Sequence, residues 1–205
     1  MKINIGSTKK GEFGYFRRAR NRSLLITLLL FAIPLAAFVT AWVVNGSRMN
    51  IITVIAIVGC LPACRSLVNF IMLAMRKPMD RKIYEEIRSH QGNLDMRYEM
   101  YVTGYEKSAY LDAVAAAGRT VVACMRDEDA SPEYLAEKIE KALSNAGYPS
   151  DVKVMKNRKL FLERLDSMNA HLSSLKQGVS FKEDPRYPGY TREDMILHTI
   201  LLLCL

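Results

Sequence analysis

The sequence predicts a membrane helical hairpin (two transmembrane α-helices) plus a small cytosolic α+β domain with a mostly antiparallel sheet, in the order α-β-β-β-α-β-α-α. Three observations lead there. Residues 23–75 hold no Asp, Glu or Lys and two arginines, Arg48 and Arg65. Two apolar runs in this stretch are separated by a short polar turn. From Pro78 onward the apolar periodicity switches repeatedly between that of a strand and that of a helix.

The charge is distributed just as unevenly. Of the formal net charge of +8, residues 1–22 supply seven basic and one acidic residue, while residues 76–205 balance at twenty of each. Basicity therefore belongs to the apolar region and its flank. The polar domain is neutral, which disfavours nucleic acid as a partner, because phosphate binding needs a clustered positive surplus. Three segments follow: a basic cytosolic tail, 1–22; the two-helix transmembrane hairpin, 23–75, with spans 23–44 and 51–75; and the cytosolic α+β domain, 76–205. A purely soluble protein and a disordered one are both excluded.

Ser23 to Val44 is uncharged, and its 22 residues match a hydrocarbon core of roughly 30 Å. Pro34 lies mid-span and Trp42 near one end, where amphipathic rings favour the interface. Asn45-Gly-Ser-Arg-Met-Asn50 is a short polar turn, and Ile51 to Met75 forms the second run. Spans joined this closely run antiparallel. Lys2, Lys9, Lys10, Arg17, Arg18, Arg20 and Arg22 precede the first span, and Arg76, Lys77, Arg81 and Lys82 follow the second. The turn holds Arg48 alone. This bias puts both termini in the cytosol of a multi-pass cell-membrane protein. A cleaved signal peptide fits less well, given the length of the run and the second span behind it.

The four cysteines form no zinc-like pattern with histidine, and a cytosolic domain keeps its thiols reduced. Cys60 and Cys64, one turn apart, read as small packing residues. Arg17, Arg18, Arg20, Arg22, Arg76, Lys77, Arg81 and Lys82 read as a membrane-surface set for anionic lipid, with Phe13, Tyr15 and Phe16 interleaved in the first group. Arg65 and Asn69 are the intramembrane polar residues. Arg65 is expected to snorkel from a tilted helix toward the cytosolic headgroups or, with Asn69 one turn later, to form an oligomer contact or an anion site. Gly59, Ala63 and Ser66 offer a close-packing face along which the hairpin is expected to self-associate.

The polar domain reads element by element. Residues 80–90 form a charged helix, ended at Gly92-Asn93. Residues 95–102 alternate, with Met96, Tyr98, Met100 and Val102 assigned to one face of a half-buried strand. Residues 109–115 and 119–125 are two more strands around a turn at Gly118. Ser131-Pro132-Glu133 starts a helix in which Leu135, Ile139 and Leu143 share a face, and Gly147 stops it. Asp151 to Met155 is a fourth strand. A helix over 158–176 carries the stripe Phe161, Leu165, Met168, Leu172 and Leu175. After a loop at 179–190, Thr191 and Asp194 cap a last helix through MILHTILLLCL, too short to span a bilayer and read as core.

Reaction chemistry is sparse. Asp127-Glu128-Asp129 lacks the spacing of a calcium loop and reads as a solvated turn before a helix. His90, His171 and His198 are scattered, and His198 sits among apolar residues. Phosphate-loop, dinucleotide and nucleophile-elbow patterns are absent, and no metal or other cofactor is implied. Helix, three strands, helix, strand, with Asp112 on the second strand in YLDAVAAAGRTVVACM, resembles the core of the restriction-endonuclease-like PD-(D/E)xK fold. That resemblance implies magnesium held by an acid on the second strand and by an acid-x-Lys on the third. The third strand departs from it, with Ala123-Cys124-Met125 there instead.

The expectation is a two-pass integral membrane protein whose small cytosolic α+β module is non-catalytic and serves protein interaction or assembly. Its expected partners are membrane lipid, a second copy through the hairpin and a protein of unknown identity. The alternative is a membrane-tethered enzyme related to restriction-endonuclease-like nucleases, with an unconventional site near Asp112 and Glu99.

Overall fold

The structure, a computed structural model, describes residues 10–45, 51–103, 108–126, 130–177, 181 and 187–204. The turn expected at 46–50, the Asp127-Glu128-Asp129 run, Lys2, Lys9 and much of the 179–190 loop lie outside them. The chain divides into two compact units. One is Gly14–Pro78; the other joins Met1–Phe13 to Met79–Leu205.

The first unit is two antiparallel helices, α1 (Tyr15–Asn45) and α2 (Ile51–Ala74). Both are long and apolar enough to cross a membrane. α1 begins eight residues before the uncharged run, so the basic flank continues the helix instead of ending at it. Pro34 and Pro62 lie within the helices, where neighbouring groups can take over the freed carbonyls. Small residues let the helices approach: Ala63 is fully buried, and Gly59 faces Pro34. Much of the remaining apolar surface points outward, including Leu28, Ile33, Leu35 and Leu61.

The second unit is a four-stranded mixed sheet between two helical layers. Its elements are α3 (Arg81–Ser89), β1 (Asp95–Val102), β2 (Ala109–Ala117), β3 (Thr120–Met125), α4 (Pro132–Asn145), β4 (Asp151–Met155), α5 (Arg158–Ala170), α6 (Leu172–Lys176) and α7 (Arg192–Leu202). The sheet order is β1-β2-β3-β4. The first three strands form an antiparallel meander, whereas β4 pairs parallel to β3. Antiparallel pairing thus holds for only part of the sheet. The α4 crossover returns the chain to the end at which β3 began, which forces a parallel fourth strand.

One face of the sheet is covered by α4 and α7 through Leu135, Ile139, Leu143, Ile196, Leu197 and Ile200. The other carries α3 and α5 through Ile87, Phe161, Leu165 and Met168. Burial on both faces explains why every residue of β2 is buried. Ala113, Ala115 and Ala117 keep the second face shallow enough for helices to lie close. The caps read from the sequence are present: Ser131 accepts from the Tyr134 amide, and Thr191 and Asp194 form a reciprocal box.

Three expectations need correction. The helix expected over 158–176 is interrupted at His171, whose backbone (φ −112°, ψ 20°) leaves the helical region. Leu172 and Leu175 still reach the second cluster from the separate α6. The last helix ends at Leu202, and the chain beyond it turns to β1. There Cys204 bridges Val102, and the Thr103 amide donates to the Leu203 carbonyl at 3.2 Å. At the same edge the Tyr98 amide donates to the Gly11 carbonyl at 2.8 Å. Gly11 and the Leu203–Cys204 segment therefore both cover parts of the β1 edge, which a sheet must protect from further pairing. The third correction, in β1 itself, creates the candidate site.

Candidate functional site

Alternation in β1 does not run through. Met96 and Tyr98 pack in the cluster under α3 and α5, whereas Met100 and Val102 pack in the opposite one. The break is at Glu99, which has φ +50° and is the one non-glycine among the described residues on the positive side. β2 breaks at the matching point. Tyr98 pairs with Ala113 and Met100 with Leu111, leaving Glu99 across from Asp112, and the β2–β3 register shifts between Leu111 and Ala113. A bulge moves every later side chain to the other face. Holding a glutamate in the left-handed region costs of order 1–3 kcal/mol, which the surrounding packing must offset.

Both carboxylates at this break are buried, Glu99 at 2% and Asp112 at 5% exposure. Glu99 Oε1 accepts from the Met79 amide at 2.9 Å. Asp112 Oδ1 accepts from Arg126 Nε at 2.9 Å and also from its Nη2. The guanidinium then lies over the Tyr110 ring, 4.3 Å from the centroid. Burial works against the Arg126 charge, but hydrogen bonding and attraction to Asp112 outweigh it, so its pKa stands above the ordinary value. Burial first, and then the Glu99 carboxylate, push the Tyr110 phenol up. Burial and the neighbouring Asp112 push the Cys124 thiol up to about 12.

These facts define the chemistry available. The strand register sets Glu99 across from Asp112, the two acids named by the nuclease-like alternative. The base it adds beside Asp112 is an arginine, which carries a fixed charge and transfers no proton at neutral pH. Cys124 is a protonated thiol with little nucleophilic character. Among the described residues, no three His, Cys, Asp or Glu side chains gather as a group able to hold a metal ion. Arg126 and Tyr110 escaped the sequence reading. The signal that could have found them was register: with Asp112 bulged, the residue just after β3 comes beside it.

The hairpin places the remaining sequence-derived residues. Arg17, Arg18, Arg20 and Arg22 lie in the first turns of α1, and Arg76 and Lys77 directly follow α2. Because the helices are antiparallel, these six share one end of the hairpin, where the Arg76 guanidinium sits 5.6 Å from the Phe16 ring centroid. Arg81 and Lys82 open α3 in the other unit, and Arg81 pairs with Glu85 at 2.8 Å. Phe13 stacks on Tyr84 there, with centroids 4.1 Å apart. All three aromatics read as bilayer contacts thus have partners within the chain, Tyr15 meeting the Phe16 ring edge-on at 5.6 Å.

A polar seam joins α1 to α2. Thr27 Oγ1 and Ser66 Oγ are 2.8 Å apart, and Asn69 Nδ2 donates to Ser23 Oγ at 3.4 Å. Arg65 takes no part in it and is exposed. Within the hairpin the side-chain hydrogen bonds between the helices are made by Ser66 and Asn69. Gly59, Ala63 and Ser66 face α1 within the hairpin, so the close-packing face is occupied by the chain itself. No protein-family model matches the chain, and neither a curated protein nor a solved structure matches it.

Proposed function

We propose that this chain is a two-pass integral membrane protein, with both termini cytosolic, that presents its α+β unit as a non-catalytic module for protein interaction or assembly. The observation that carries this reading is the outward-facing apolar surface of the helical unit. In the most apolar stretches of α1 and α2, 17% and 6% of residues are buried. A helix that is apolar nearly all round and left uncovered by its own protein calls for lipid. The six cations at one hairpin end then select the cytosolic side.

The test is labelling of intact cells with an impermeant thiol reagent. Single reporter cysteines Gly46→Cys and Ser180→Cys are placed in a background lacking Cys60, Cys64, Cys124 and Cys204. The expected result is labelling at 46, with 180 reached only after permeabilisation. The reverse pattern would overturn the topology.

The paired carboxylates of β1 and β2 favour a second reading, the membrane-tethered nuclease relative. Their irregular backbone is of a kind often found beside active sites. The Arg126 contact to Asp112 argues the other way, since the guanidinium already neutralises the carboxylate to which a metal ion would bind. The full chain in detergent, with duplex DNA and magnesium, is expected to cleave nothing. Cleavage abolished by Asp112→Asn, in a variant that keeps its amide-exchange protection, would establish the enzyme.

A further inference from the structure

Arg65 stands on α2 in a setting that asks for an anion. It is exposed, as are Leu61, Val68 and Met72, its neighbours along the same side of the helix. That stripe is the surface a lipid chain would cover. Arg65 also lies nine residues before Ala74, about 13 Å from the basic end of α2 at about 1.5 Å per residue. The seam residues cannot serve it as acceptors of charge, because Ser66 is turned to Thr27 and Asn69 to Ser23.

The sequence removes the other internal solution. Residues 14–78 contain eight basic residues and no acidic one. Neither the hairpin itself nor the spans of a second copy can therefore offer Arg65 a carboxylate. A guanidinium at this depth needs a counter-charge or water, and the nearest abundant anion is a phosphate of the leaflet at the basic end. Turned toward that end, an extended arginine closes about half of the distance, and a lipid headgroup drawn inward closes the rest. Height along the hairpin is favourable too. Asn69 is level with Ser23, so Arg22 comes roughly one and a half turns nearer the end than Arg65. The cation collar of Arg17, Arg18, Arg20, Arg22, Arg76 and Lys77 concentrates anionic lipid at that surface.

We infer that Arg65 binds the phosphodiester of an anionic phospholipid, pulled below the ordinary headgroup plane along the Leu61–Met72 side of α2. The guanidinium fork suits two phosphate oxygens at once. The inference rests on the membrane reading above and adds a ligand to it.

The experiment is native mass spectrometry of the full chain released from nanodiscs of phosphatidylcholine containing phosphatidylglycerol. Wild type is expected to keep one phosphatidylglycerol. Arg65→Gln should lose it by about tenfold, the scale of a charge-assisted hydrogen bond, and Arg65→Lys should lose less. Equal retention by Arg65→Gln would overturn the inference. So would an equal loss from Arg17→Gln, which would make retention a property of the hairpin's overall positive charge. A dimer that Arg65→Gln separates would assign the residue to a second copy, and displacement by inorganic phosphate would make it a soluble-anion site; either result overturns it. Alkaline carbonate extraction keeps the two readings apart. Release of wild type from membranes fails the membrane reading, whereas a carbonate-resistant chain with unchanged lipid retention fails the lipid site alone.

Discussion

Arg126→Leu is expected to destabilise the α+β unit by about 3 kcal/mol, the low end of what breaking a buried ion pair costs. The low end applies because the Arg126 side chain keeps 28% of its exposure while that of Asp112 keeps 7%. The loss comes from Asp112, whose buried carboxylate loses the guanidinium that supplies two of its hydrogen bonds. Removing the charge as well should recover most of the loss. The double variant Asp112→Leu with Arg126→Leu is expected to lie within about 1 kcal/mol of wild type, because apolar replacements of a buried pair are often close to neutral. Amide hydrogen exchange of β1–β3 in the detergent-solubilised chain measures this without interference from the helical hairpin. Protection unchanged in Arg126→Leu would show that the pair contributes nothing to stability.

Gly118→Ala should cost about as much, for a different reason. Gly118 closes the β2–β3 hairpin with φ +59°, and a Cβ there would overlap the Leu175 carbonyl oxygen, a backbone atom with no freedom to turn aside. The turn is also gripped from α7: the Gly118 amide donates to Glu193 Oε1 at 3.0 Å, and Arg192 Nε donates to the Gly118 carbonyl at 3.2 Å. Left-handed strain and overpacking together give roughly 3 kcal/mol. Gly147→Ala is the control. Its φ is +87° and nothing lies within 4 Å of its added Cβ, so conformational strain alone remains, at about 1 kcal/mol. Thermal unfolding followed by exchange of the β2 and β3 amides separates the two variants. Equal losses would mean that α6 moves away freely.

How far the fold was legible depended on the range of the interaction involved. Ser131-Pro132-Glu133 and Thr191 with Asp194 were readable as helix starts because a cap is settled within four residues. The strands at 95–102 and 151–155 stand at the expected positions, since period-two patterning is local. The face assignment in β1 failed at Glu99. A polar residue in an alternating strand signals its outer side, and nothing local announces that this one is buried and bulged. The break at His171 was equally hidden, because no glycine or proline marks it. No motif surrounds Arg126 in the sequence, and its role exists only once β2 supplies Asp112.

What the sequence determined by itself was the presence of two long apolar helices beside an α+β remainder. A stretch free of acids and almost free of bases cannot satisfy water, and its length and flanking charge follow from composition alone. Tertiary structure decided the rest. It made β4 parallel, set Glu99 opposite Asp112, turned Asn69 to Ser23 and left Arg65 outside. Each of these depends on contacts between residues far apart in the chain, whose energies arise only when the chain has closed upon itself.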